Sequence, residues 1–298
     1  MKNYVLFLIG IIILSSCATV PIEKESKYVG PKKRIAVMDF ENKVPSSEYN
    51  IGTGMTEMLI TALYETNRFI VLERKAINDV IKEQDFGLSG RVQKDTVSKI
   101  GRILGAQLLV RGAVTEFDPG SGGAVGGIIR NFGIGIAQRT AKVAVDIRMY
   151  DATTGVILES KRIEKSATAT GLAFVTHNFG TAGFTKTPIG KATRSAIKEM
   201  VKYIVKKMDE IPWEGRIVKA SGNKVYINAG KNSNVKLGDV FAIYKKGEEL
   251  IDPATGLKLG SEDTYAGSIK ITQVMEKYAI GEAVEGTGFD RGDLVRIP

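Results

Sequence analysis

The chain holds one cysteine, Cys17, and one histidine, His177, among 298 residues. A single thiol excludes a disulfide within one copy. A lone histidine with Thr and Asn beside it leaves almost nothing for a zinc site or a catalytic triad. Tryptophan is also single, and Trp213 is expected to pack at a domain junction. Long apolar runs are scarce: Tyr4–Leu14 is too short to cross a bilayer as an ordinary helix. Acidic residues are missing from two stretches, 119–145 and 165–198.

What is present begins at the amino end. Lys2, the apolar run, and the small residues up to Leu14-Ser15-Ser16-Cys17 read as a secretory signal ending in a bacterial lipobox. On that reading residues 1–16 are removed and Cys17 carries a diacylglycerol, with no other cofactor and no metal. The alternative is a plain secretory signal with a stray cysteine. Ala18 follows the cysteine, and its resemblance to bacterial sorting signals points to the outer membrane. Residues 17–33 are then a polar tether.

The formal charge is +9, with 43% hydrophobic and 25% charged residues. This composition fits a globular protein. An exported basic protein meets acidic lipid headgroups or an acidic transported substrate rather than nucleic acid.

Residues 34–211 read as a layered α/β unit of α+β class. Strands are expected at 34–40, 69–72 and 108–114, and helices at 53–64 and 76–84. A third helix, capped by Asp95 or Thr96, is stopped by Gly105. A two-residue period over Ala141–Met149 predicts a strand, and Asp151–Gly155 a turn back into 156–162. Ala192, Ala196, Met200, Ile204 and Met208 share one face of a helix over 191–208, with lysines opposite. Residues 212–298 read as a small all-β domain. Two near-repeats there, Val235–Val240 and Phe289–Leu294, each place Gly-Asp before a strand and suggest a barrel.

The acid-free stretches are too polar for membrane helices, since Arg130, Asn131, His177 and Asn178 interrupt them. Recurring Ile128, Ile129, Phe132, Ile134, Phe174, Phe179 and Phe184 are unlike a linker. About 25 residues without acid suffice for two oblique strands and a turn. Such hairpins survive in lipid only if several copies close one barrel. The alternative is a pair of glycine-rich surface loops.

Gly190-Lys191-Ala192-Thr193 fails the phosphate-loop spacing. The glycines at 122–127 are not followed by a helix, so they form no dinucleotide fingerprint. Glu57, Glu73 and Glu83 read as solvated, salt-bridged positions. No catalytic constellation emerges.

The block 51–84, Ile103–Gly112, Asn131–Gly135, Val145–Arg148 and Asp151–Leu158 together resemble the CsgG family, the outer-membrane lipoprotein channels of curli-type secretion. The resemblance covers about 34–208. It implies a homo-oligomeric ring in which each subunit lends two hairpins to one transmembrane β-barrel, about 36 strands in the largest known. The hairpins match roughly 116–140 and 165–186, with Ile128, Phe132, Ile134, Phe174 and Phe179 facing lipid. A loop between the first strand and first helix narrows the family's channel. It corresponds to Val44–Gly52, with Tyr49, Asn50 and Ile51 as candidate pore-facing residues; the alternative is a plain lead-in to the helix. The family's Asn-Phe pair at that constriction is absent. The implied function is a non-enzymatic export channel for a polypeptide or other extracellular polymer, with outer-membrane lipid and periplasmic accessory proteins as further partners. A non-pore periplasmic assembly or scaffold lipoprotein is the competing reading. Residues 213–298 have no counterpart in the curli channel and resemble the C-terminal β domain of FlgT-like flagellar proteins.

Overall fold

The computed structural model describes residues 30–44, 50–89, 91, 104–120, 123–125, 136–171 and 183–298. Its first half is one sheet. The strands are β1 (Lys33–Val37), β2 (Glu41–Asn42), β3 (Phe69–Glu73), β4 (Leu108–Asp118), β5 (Gly123–Val125), β6 (Ile136–Asp151) and β7 (Ile157–Gly171). Strand β1 lies parallel to β3 and β4, whereas β4, β6 and β7 run antiparallel. The lateral order is β3-β1-β4-β6-β7, with β2 alongside β4 and β5 alongside β6.

Two helices pack on one face. Helix α1 (Ile51–Glu65) buries Ile51, Met55, Leu59 and Leu63 at four-residue spacing. Asn67, in the left-handed region at φ 56°, turns the chain into β3. Helix α2 (Ile77–Leu88) follows β3. Helix α3 (Pro188–Glu210) is the longest and buries the five apolar residues expected of it. Ala141, Val143, Val145, Ile147 and Met149 of β6 face this layer. Lys142 and Arg148 of the same strand stand exposed, as a one-sided antiparallel sheet requires.

Helix α3 starts three residues earlier than its apolar period indicates. Thr187 is the cap: its hydroxyl accepts from Gly190 N at 3.1 Å, and Pro188 fills the first helical position. The expected second hairpin also stops short of Lys186. Phe184–Lys186 form a 3-10 turn, and Phe184 is buried in the core. The helix expected after Asp95 lies outside the described residues.

The second half is a closed barrel. Its strands are β8 (Glu214–Ser221), β9 (Lys224–Ile227), β10 (Val240–Lys245), β13 (Thr264–Val274), β14 (Ala279–Glu285) and β15 (Leu294–Arg296), joined in the order β10-β13-β14-β9-β8-β15 and back to β10. Ile217, Val225, Ile227, Phe241, Ile243, Ile269 and Ile271 fill it. Trp213 closes one end against Phe241, with ring centroids 5.4 Å apart. The two Gly-Asp segments are the same turn built twice. Gly238 and Gly292 take φ of 86° and 99°. Asp239 accepts from Lys236 N, and Asp293 from Asp290 N, each at 2.8 Å. A hairpin of β11 (Glu249–Ile251) and β12 (Lys258–Ser261), not expected from the sequence, stands apart from the barrel. Among the described residues, no helix is long and apolar enough to cross a membrane, which says nothing of strands.

Candidate functional site

The sheet has two distinct ends. Strand register fixes one end at Lys33, Leu108, Asp151 and Ile157, and the other at Asp118, Ile136 and Gly171. Helix α3 runs between them. Near one end Glu199 meets Lys165 at 3.8 Å; towards the other, Lys207 meets Glu159 at 3.3 Å. Both acid-free stretches leave the sheet at the Gly171 end. The barrel begins at the opposite one, directly after α3.

At the Gly171 end β6 and β7 outrun the helix layer. Among the described side chains, the last core residue on β6 is Ala141, with Ala167 packed against the core on β7. The ladder nevertheless continues through Thr140↔Thr168 to Ala137↔Gly171, and β5 pairs with its first residues. The hydroxyls of Thr140 and Thr168 bond across it at 2.9 Å. The backbone of five β6 residues, 136–140, thus continues about 17 Å past Ala141.

The loop that follows β2 emerges at the same end, because β1 and β2 run parallel to β4. Both of its stems are pinned. Lys43 N donates to Val114 O at 2.9 Å, and Val44 N to Asn42 Oδ1 at 3.0 Å. Thr56 on α1 accepts from Phe40 N and donates to Gly52 O, each at 2.9 Å. A Cβ at Gly52 would lie 2.2 Å from Phe40 O, so only glycine admits this approach. Glu41 at the stem is held below the usual carboxylate range by hydrogen bonds from Lys43 and Arg111.

The candidate pore residues separate here. Asn50 is exposed, immediately before α1. Ile51 is only 1% exposed and sits in the core, so its side chain faces α1's packing partners and not a lumen. Tyr49 lies outside the described residues. So do Cys17 and all five candidate lipid-facing residues, Ile128, Phe132, Ile134, Phe174 and Phe179, as well as His177. Gly190 has a structural role: its Cβ would meet Phe184 O at 1.9 Å. The Gly190–Thr193 segment is therefore the tight entry to α3. Among the described residues no His, Cys, Asp and Glu cluster could hold a metal.

At the far end the chain entering β1 touches both halves. Lys32 N donates to Ser233 O at 2.8 Å, and Asn234 Nδ2 donates to Gly30 O at 2.7 Å. The buried Lys33 donates through Nζ to Met208 O, in the last turn of α3. Burial lowers its pKa, against the pull of Asp209.

The family model for the curli production assembly/transport component CsgG matches residues 22–235, which takes in the two-ended sheet, its overshooting strands and the pinned loop. The chain belongs to the CsgG family. A second model, the C-terminal domain of flagellar assembly protein T, matches 222–289 within the barrel. CsgG of Salmonella typhimurium is 27% identical over 194 residues, 54% of this chain and 69% of that protein. NMB1126/NMB1164 of Neisseria meningitidis serogroup B, named as a candidate lipoprotein, is 29% identical over 219 residues, 67% of this chain and 92% of the relative. Among solved structures, the hypothetical protein CT253 of Chlamydia trachomatis is 14% identical, covering 60% of this chain and 99% of that one at a TM-score of 0.39. The CsgG family is described by transport and assembly, not by a reaction.

Proposed function

We propose that this CsgG-family chain is a lipid-anchored subunit of an outer-membrane ring. In it, sibling copies complete one transmembrane β-barrel, through which a polypeptide or other extracellular polymer is exported. The observation that carries the reading is the overshoot at the Gly171 end. A ladder of β-strands leaves the core there, still paired, and runs directly into both acid-free stretches. Backbone groups crossing lipid must be paired, and a paired ladder already meets that demand on one side. Acidic side chains, costly on a lipid-facing strand, are absent from 119–145 and 165–198. The loop from Val44 to Asn50 opens at the same end, where it would border the lumen. Cys17 would carry the lipid, and the sheet and helices would hang on the periplasmic side.

The relatives named for curli assembly and transport support this reading, as does the relative named as a candidate lipoprotein. The latter name equally suits a periplasmic scaffold whose glycine-rich stretches never insert. Detergent-extracted protein separates the two. A channel gives large rings in electron micrographs and discrete conductance in planar bilayers. A scaffold gives monomers or small oligomers once Cys17→Ala removes the lipid. Within the channel reading, Asp at Ile128, Phe132, Phe174 or Phe179 lowers insertion by up to about 2 kcal/mol wherever the side chain meets lipid near the midplane. Normal insertion and conductance by all four variants would sink the hairpin assignment.

A further inference from the structure

The outer face of α3 carries Lys191, Arg194, Lys198, Lys202 and Lys206, spaced three or four residues apart and all exposed. They form a single file about 22 Å long. None of the five is ion-paired with a described carboxylate, while four cations beside the file are matched. Lys161 and Lys165 share Glu199, Lys207 holds Glu159 and Glu210, and Arg68 holds Asp209. Every acid on α3 is therefore already taken by a cation outside the file.

This arrangement works against the helix itself. Like charges four residues apart weaken a helix, and three such pairs follow one another here. The first turn of α3 holds no acid, and Lys191 sits at the end where the helix dipole disfavours cations. Nine buried residues and the Thr187 cap hold the file straight regardless.

We infer that this file is a docking rail for an acidic polypeptide segment. Its step of about 6 Å matches carboxylates at alternate positions of an extended strand, about 6.7 Å apart, or four apart on a helix. It is one cation wide, with Ser195 and Glu199 beside it and Asp209 beyond its end, so a linear partner fits it and a plane of headgroups does not. The rail stands independently of the channel proposal, since it needs no inserted hairpin.

The test is fluorescence anisotropy on the full chain in detergent at low salt, with a labelled peptide of six Glu-Ser repeats and its Gln-Ser counterpart. The triple variant Lys198→Gln, Lys202→Gln, Lys206→Gln weakens Glu-Ser binding at least tenfold. The matched barrel triple, Lys219→Gln, Lys224→Gln, Lys270→Gln, changes it less than twofold. Binding falls steeply with added salt, and the Gln-Ser peptide does not bind. Circular dichroism confirms that both triples are folded. Equal loss in both triples, or no loss in the first, overturns the rail. Tighter binding of heparin or phosphatidylglycerol vesicles through the same three lysines overturns the choice of partner.

Discussion

The two halves of the molecule solve the same problem in opposite ways. The barrel closes its sheet on itself, so every strand in it has two neighbours. Ion pairs tie its strand ends and turns together: Arg296 binds Glu214 and Asp263, and Lys245 binds Asp290 and Asp293. Among the described residues, the CsgG-family half leaves β3 and β7 as outer strands of its sheet and runs β6 beyond Ala141, its last described core residue at that end. A closed unit is complete as a single copy. An open one keeps strand edges on which further strands can pair, and most of the family's match, residues 22–235, lies there.

The sharpest way to break the comparison is to damage one core at a time. Phe241→Ala, at a site 2% exposed and packed at a tilt against Trp213, costs about 3–5 kcal/mol and lowers the barrel's calorimetric transition alone. Met200→Ala, fully buried under the sheet, costs about 2–5 kcal/mol and lowers only the other transition. One shared transition that moves with either variant would show that the halves unfold as one body.

Next comes the entry to α3. Gly190→Ala drives a methyl into Phe184 O and costs about 1–3 kcal/mol, read by denaturant unfolding of the first half. Thr187→Ala, which removes the cap, costs about 1 kcal/mol in the same assay.

A smaller effect tests a turn used in both halves. Asp151-Ala-Thr-Thr-Gly155 and Asp252-Pro-Ala-Thr-Gly256 each aim an aspartate oxygen at a backbone N–H two residues on, and each ends in a left-handed glycine at φ 74° and 68°. Gly155→Ala and Gly256→Ala should each cost about 1 kcal/mol, the first in the sheet, the second in the barrel half.

The subtlest test is alkaline. Tyr203 donates to Glu159 at 2.7 Å, and burial, then that bond, push its pKa from 10.0 up to about 12. A raised value favours the neutral phenol in the fold. Its contribution is full below pH 10 and is lost as pH rises towards 12. Tyr203→Phe should therefore flatten the decline of the first transition over that window. In the barrel, Tyr265 is raised as well, through Glu285, and its transition should keep its slope in the same variant.

Much of this fold is legible in the residues. The four-residue spacing on α1 and α3, the alternation of β6, and the two Gly-Asp turns announce their elements because each buries one face or needs one special backbone angle. The Thr187-Pro188 pair marks the true start of α3, though the apolar period does not reach it. Ile51 belongs to the series Ile51, Met55, Leu59, Leu63, which assigns it to the core. The β11–β12 hairpin gives no periodic signal: its strands are three and four residues long, and Leu250, Ile251 and Leu259 are all exposed. Its Asp-Pro-Ala-Thr-Gly turn was the readable clue. The overshoot of β6 and β7 is hidden for another reason. Ile136-Ala-Gln-Arg-Thr140 shows no two-residue alternation of polarity, and Ala167–Gly171 alternates only Ala with Thr, so only pairing reveals how far the strands run. The cations of α3 are plain in sequence, but their lack of carboxylate ion pairs is visible only once the neighbouring acids are seen to be engaged elsewhere.

The strap formed by Gly30, Lys32 and Lys33 has a mechanical consequence. It crosses from the barrel's Ser233 and Asn234 to the last turn of α3 before the chain enters β1. Tension applied at the amino end is therefore borne first by the seam between the two halves, and the strap must peel away before the sheet feels any load.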